Sequence, residues 1–269
     1  MATAALAVTD EIEVLLPGSE AEAIEAFGDG KDVVVVGGGT IVVPEMTYGR
    51  LQPRRALLLK DAGMAGMAED GSRTTIGSAT TVDALVGLPA PLGPCAANIA
   101  DGEIRGVATV GGNVCAGAGR EAPRGDLQGA LLALAASVRS AGAGGVTEEP
   151  LEEFLPKRRE RLVLGISFDR PARGAFAALD RPHTHDYTAL AVSGARAGDG
   201  AVRLAATGGG SWGVRLPSAE ASADEPERAG AAALADVDPR DDALASAWYR
   251  KKVLPVLVRR VLTELEEVA

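Results

Sequence analysis

Apolar and polar positions fall in short blocks along the chain, and the blocks predict short elements. Residues 20–27 (EAEAIEAF) space their apolar side chains at helical intervals, and residues 32–36 (DVVVV) predict a buried strand. That strand runs into Gly37-Gly38-Gly39-Thr40, and a second apolar stretch, residues 41–43, follows, so a β-α-β opening is expected. Residues 56–59 and 73–77 predict further short strands. The second leads toward a helix over 82–86, where Thr80 and Asp83 have capping-box spacing. Residues 126–137 (DLQGALLALAAS) are apolar at helical spacing, with Asp126 at or near the start, and 162–168 (LVLGISF) predict a strand.

After Asp169-Arg170-Pro171 the texture changes. Residues 190–195 and 202–206 predict paired strands joined by the Gly-Asp-Gly turn at 198–200. Residues 218–228 are acidic, Ala-rich and interrupted by Pro226, which predicts a loop or weak helix. Residues 248–265 predict an amphipathic helix with a basic face, interrupted at Pro255. The order of elements predicts an α+β protein with a division near residue 170.

Composition narrows the chemistry. The 269 residues suffice for one large domain or two medium ones, and with 3% aromatics the core must be built from Val, Leu, Ile and Ala. A net charge of −10 argues against electrostatic binding of nucleic acid or anionic lipid. No run reaches the length of a membrane span. The first ten residues carry no basic segment or usable apolar stretch, so no signal peptide is expected and a cytoplasmic setting is. Cys95 and Cys115 are too few for an iron–sulfur cluster and are expected to be buried, unpaired thiols. Redox or group-transfer chemistry here needs an imported cofactor or a partner chain.

Two glycine runs carry candidate chemistry. Gly37–Gly39 follow a strand directly, and glycines there allow positive φ and leave backbone N–H groups uncovered for an anion such as a pyrophosphate. Taken alone, this run is more simply read as a tight turn without a ligand. No G-x-G-x-x-G leads into a helix and no G-K-[ST] follows, so neither a Rossmann fingerprint nor a Walker loop is present. The second run, Thr109-Val110-Gly111-Gly112-Asn113, lies about seventy residues on. Its threonine and asparagine offer polar groups and its glycines are expected to expose amides; here a β-turn is the alternative. Neither run shows a helix signal after it, and together they suit a diphosphate clamped from two sides. Asp126, thirteen residues beyond Asn113, has the chemistry to accept from a ribose diol or to cap a helix. His183 and His185 invite a catalytic role, but two exposed loop histidines are the simpler reading. Arg250, Lys251, Lys252, Arg259 and Arg260 suit either a partner contact or a solvated helix face.

GGGTIVVP (37–44), IGSATT (76–81), ATVGGN (108–113), GDLQGALLAL (125–134), HDYTALAV (185–192) and YRKKVLPVLVRR (249–260) follow one another in order over nearly the whole chain. Together they resemble the FAD-binding medium subunit of carbon monoxide dehydrogenase and related molybdenum hydroxylases, which is also the FAD domain of xanthine dehydrogenase. Each motif alone is weak, and the ordered set is specific.

The resemblance implies a two-part FAD-binding domain over residues 1–169, then a smaller C-terminal α/β domain with an antiparallel sheet over 170–269. It implies that Gly37, Gly38, Gly39, Thr40, Ile41 and Val42 grip the FAD pyrophosphate, and that Thr109, Val110, Gly111, Gly112 and Asn113 also contact the dinucleotide. It further places Asp126 on the ribose, Tyr187 near the flavin ring, and apolar adenine contacts around Leu162 and Val163. The implied activity is electron transfer from iron–sulfur centres through FAD to an external acceptor, alongside a molybdenum-cofactor large subunit and a 2Fe-2S small subunit. No residue of the chain is assigned catalytic or metal-binding work. The chain departs from many relatives at Gly37 and Ile41, and at Ala177, where the xanthine dehydrogenase branch carries a lysine associated with NAD reduction. Residues 114–124 carry no pattern that maps onto the family. Two other readings remain: a stand-alone flavoenzyme acting on a small molecule, and a scaffold that has lost its flavin.

Overall fold

The computed structural model describes residues 12–117, 125–179, 183 and 187–267. The expectations placed on residues 1–10, on 118–124 and on His185 lie outside the described residues.

The chain begins with β1 (Glu13–Leu15), α1 (Glu20–Phe27), β2 (Val33–Val36), α2 (Val42–Thr47) and β3 (Arg55–Leu58). The three strands form a parallel sheet in the order β1-β3-β2. Ser19 caps α1 by accepting from the Glu22 N–H. The buried side of α1, Ala23 and Phe27, packs with Leu57, Leu162 and Leu164 in one core.

Next come β4 (Met67–Asp70), β5 (Arg73–Gly77), α3 (Leu92–Ala97), α4 (Gly102–Arg105), α5 (Val110–Cys115) and α6 (Asp126–Ala133). These are followed by β6 (Ser137–Gly142), β7 (Gly145–Pro150), α7 (Leu151–Phe154) and β8 (Leu162–Asp169). The five strands make an antiparallel sheet, β4-β5-β8-β6-β7. The expected helix over 82–86 is only a 3-10 turn over Asp83–Leu85, because the Thr80 hydroxyl bonds Gly66 instead of capping it.

The remaining elements are β9 (Arg173–Ala178), β10 (Ala191–Arg196), β11 (Val202–Thr207), β12 (Val214–Arg215), α8 (Pro217–Glu220), α9 (Pro226–Ala232) and α10 (Ala247–Glu266). The strands form an antiparallel sheet, β12-β11-β10-β9. Pro226 starts α9 at its first position, where a missing N–H costs nothing. Pro255 does not interrupt α10. Leu254, Leu257, Val258, Val261 and Leu262 bury that helix against the sheet, and this packing outweighs a proline penalty of about 3 kcal/mol.

α6 ends at Ala133, short of the expected 137, and every residue of it is buried, Asp126 and Gln128 included. It packs on the four-stranded sheet and against α3 and α5, and shares one core with Ile76, Val138 and Ile166 of the five-stranded sheet. Ala205 faces its core, while Leu204 and Ala206 face α10 on the opposite side of the sheet. Among the described residues, no helix is long and apolar enough to cross a membrane.

Candidate cofactor site

The two glycine runs touch. A side-chain carbon on Gly37 would lie 2.3 Å from Thr109 Oγ1, and one on Gly38 only 1.9 Å from the Val107 carbonyl oxygen. At Gly38 main chain passes against main chain, and at Gly37 the Thr109 side chain fills the space a side-chain carbon would need. Gly39 takes φ +74°, a conformation that glycine adopts readily.

Both runs lead into helix, contrary to the sequence expectation. The first passes through Thr40 and Ile41 into α2, whose Pro44 sits in the first turn where no N–H is needed. In the second, Gly111 and Gly112 lie inside α5, and neither has positive φ.

The amides divide sharply between the loops. Val110 N–H donates to the Thr80 carbonyl at 2.9 Å, Gly111 to the Ser78 carbonyl at 2.8 Å and Asn113 to the Thr109 carbonyl at 2.9 Å. Gly112 N–H donates to the Thr109 hydroxyl oxygen at 3.2 Å. From Val110 through Asn113 the second run therefore does not expose its amides; helix formation and β5's following loop occupy them. In the first run, the N–H groups from Gly37 through Val42 have no acceptor among the described residues. Six consecutive main-chain donors remain open in a half-buried loop.

The second run links that loop to the acid. Asn113 Oδ1 accepts the Leu127 N–H at 2.9 Å, so it caps α6 from across the gap. Gly125 holds the N-cap position and offers no side chain, which leaves Asp126 in the first turn rather than capping. Its carbonyl accepts from Thr207 Oγ1 at 3.1 Å and from the Cys95 thiol at 3.3 Å. The Asp126 carboxylate is buried with 7% exposure. Tyr187, half-exposed, has its phenol pushed above the usual tyrosine range by partial burial and then by the Asp126 charge. The chain of contacts thus runs from the first loop through Thr109 and Asn113 to Asp126, and on electrostatically to Tyr187.

Leu162 and Val163 stand apart. Both are buried in β8, Leu162 in the α1 core and Val163 in the main core, so their side chains are committed to packing. His183 is exposed.

The buried roles of three polar residues were not foreseen from the sequence. Gln128, 1% exposed, donates to the Val114 and Ala116 carbonyls at 2.8 and 3.0 Å and accepts from Gly213 N–H at 2.7 Å. It ties α5, α6 and the last sheet together, and the only signal was a polar residue inside an apolar helix. Arg158, 3% exposed, lies 5.3 Å over the Trp212 ring and donates to Leu155 and Ala116 carbonyls. Arg250 was read as a surface charge; it is 1% exposed and bonded to Asp242 and three carbonyls.

Residues 10–168 match the family described as FAD binding domain in molybdopterin dehydrogenase, and the chain belongs to that family. It is 26% identical to the 6-hydroxypseudooxynicotine dehydrogenase complex subunit alpha of Paenarthrobacter nicotinovorans, over 94% of this chain and 93% of that protein. Its fold is similar to a chain of carbon monoxide dehydrogenase from Hydrogenophaga pseudoflava, with a TM-score of 0.84, 24% identity and coverage of 96% and 98%. It is also similar to a chain of quinoline 2-oxidoreductase from Pseudomonas putida 86, with a TM-score of 0.80, 18% identity and coverage of 95% and 96%.

Proposed function

We propose that this chain is the FAD-binding, electron-transferring subunit of a molybdenum hydroxylase. The observation that carries the reading is the run of six open amides, Gly37–Val42, with the buried Asp126 carboxylate linked to that loop through Thr109 and Asn113. Successive backbone donors suit a diphosphate. A buried carboxylate suits a ribose diol, and a half-exposed tyrosine suits the face of a flat ring. Bound there, FAD would supply redox chemistry, exchanging electrons singly or in pairs.

Each residue's part follows from its place. Gly37, Gly38, Gly39, Thr40, Ile41 and Val42 donate to the diphosphate. Thr109, Val110, Gly111 and Gly112 buttress that loop through their own closed hydrogen bonds. Asn113 aligns α6 so that Asp126 faces the ligand. Tyr187 covers one side of the ring and limits water there. Leu162 and Val163 form the apolar floor only indirectly, since their side chains are in the cores. Residues 1–169 supply the loops in this reading, and 170–269 complete the site through Tyr187.

Two cysteines are too few for an iron–sulfur cluster, and among the described residues no group of His, Cys, Asp and Glu could hold a metal ion, so in this reading the activity depends on company. A 2Fe-2S small subunit and a molybdenum-cofactor large subunit would supply electrons, and an external acceptor would receive them, in the cytoplasm. The relative from Paenarthrobacter nicotinovorans is named as part of a dehydrogenase complex, which supports this. Native purification with mass spectrometry of co-eluting chains tests it: both subunits are expected. A homogeneous single chain whose flavin is reduced by an organic substrate would support a stand-alone enzyme instead.

A further inference from the structure

Tyr187 stands at the head of a segment held from three sides. Thr188 Oγ1 accepts from Asn98 Nδ2 at 2.9 Å. The Leu190 carbonyl accepts from Leu179 N–H at 2.9 Å, which joins the segment to the end of β9. Between them the Ala189 carbonyl accepts from Arg250 Nε at 2.9 Å. Gly208, at φ +84°, lets that carbonyl approach: a side-chain carbon there would lie 2.3 Å from it.

Arg250 is fixed in turn by its other donors. Nη1 donates to the Ala245 carbonyl at 2.9 Å and to the Arg240 carbonyl, and Nη2 donates to Asp242 Oδ1 at 2.6 Å. Asp242 Oδ1 also accepts from the N–H groups of Leu244 and Ala245, at 2.9 and 3.2 Å. A planar guanidinium serves these directions at once, which a single ammonium does not. Arg250 lies in the first turn of α10, and α10 is anchored along its length in the C-terminal core. The segment bearing Tyr187 is therefore referenced to a helix packed along its length in the C-terminal core.

We propose that Arg250 is a positioning residue for the flavin site: it sets where Tyr187 stands relative to the isoalloxazine ring. The proposal rests on the reading that FAD binds with its ring beside Tyr187. A tyrosine packed on a flavin quenches its emission, so the geometry has an optical signature that does not require turnover. Thr188 and Leu190 are buried while Tyr187 is half-exposed, so a shift of the segment moves the phenol before it disturbs the core.

The test measures fluorescence per bound FAD in the full chain, with flavin stoichiometry and melting temperature recorded for each variant. The unaltered protein is expected to be dim and Tyr187→Leu bright. Arg250→Met is expected to retain stoichiometric FAD while its emission rises several-fold toward that of Tyr187→Leu. Arg250→Lys and Asp242→Asn, milder changes, serve if the methionine variant does not fold, with the same direction expected. Emission unchanged from the unaltered protein in a folded, FAD-loaded Arg250 variant would show a purely structural arginine and overturn the proposal. If Tyr187→Leu itself stays dim with FAD bound, the placement of Tyr187 at the ring fails, and the proposal falls with it. If no variant, nor the unaltered chain, binds FAD, it is the proposed function that fails.

Discussion

Gly38 and Val107 are in main-chain contact: a single added carbon on Gly38 would sit 1.9 Å from the Val107 carbonyl oxygen. Two segments about seventy residues apart in sequence are thereby locked into one surface. The loop with open amides cannot be moved independently of the segment that leads to Asn113 and Asp126.

Gly38→Ala should therefore separate the loops. Backbone cannot yield as a flexible side chain does, and overpacking of this kind costs about 1–3 kcal/mol. Part of that should appear as roughly tenfold weaker FAD binding, equivalent to about 1.4 kcal/mol. Gly144→Ala is the control, since nothing lies within 4 Å of the added carbon. Flavin titration together with thermal melts checks both. Equal FAD affinity in a stable Gly38→Ala protein would disconnect this contact from the site.

Asp126→Ala should weaken FAD binding by about 1.5–3 kcal/mol, the range for a lost charge-assisted hydrogen bond. Since Asn113 rather than Asp126 caps α6, stability without flavin should fall by no more than about 1 kcal/mol, the scale of a helix-dipole term. The same charge raises the Tyr187 phenol, second to burial. Asp126→Asn should bring that titration back toward the ordinary tyrosine value of 10.0, a shift that ultraviolet difference titration in the apo protein would register. A large stability loss with unchanged affinity would reassign Asp126 to the fold.

The cysteines should be inert while the protein is folded. Burial pushes the Cys115 thiol from 9.0 up to about 12, against a smaller downward pull from Arg158, and burial raises Cys95 as well. A raised thiol favours folding fully below the unfolded value. That contribution declines as pH rises from about 9 toward about 12, because the unfolded chain ionises first. Thiol-disulfide reagents at pH 8 should label neither residue until denaturant is added, and stability should decline on the alkaline side. Rapid labelling of Cys115 in the native protein would contradict this.

Elements whose local pattern and packing agree were legible in the sequence. The helix over Glu20–Phe27, the strands Val33–Val36 and Leu162–Asp169, and the β10–β11 pair with its Gly-Asp-Gly turn formed where the pattern placed them. α2 was not legible, because the apolar stretch Ile41, Val42 and Val43 is β-branched and carries no helical spacing, while the fold places it at a helix start. The glycines of 111–112 signalled a turn but sit in a helix, so their value is close approach to Ser78 and Thr109 rather than positive φ. No pattern of charges distinguishes a buried Arg250 from the exposed Lys251 beside it; burial there depends on carbonyls contributed from residues 189, 240 and 245.

The most direct test of the central claim is a pair of titrations of the flavin-free chain, with FAD and with FMN, followed by absorbance and emission. Six open amides matched to a diphosphate predict one FAD per chain and binding of FMN, which lacks that diphosphate, weaker by at least an order of magnitude, about 1.4 kcal/mol. Equal affinity for the two flavins, or no binding of FAD by a folded chain, would contradict the account.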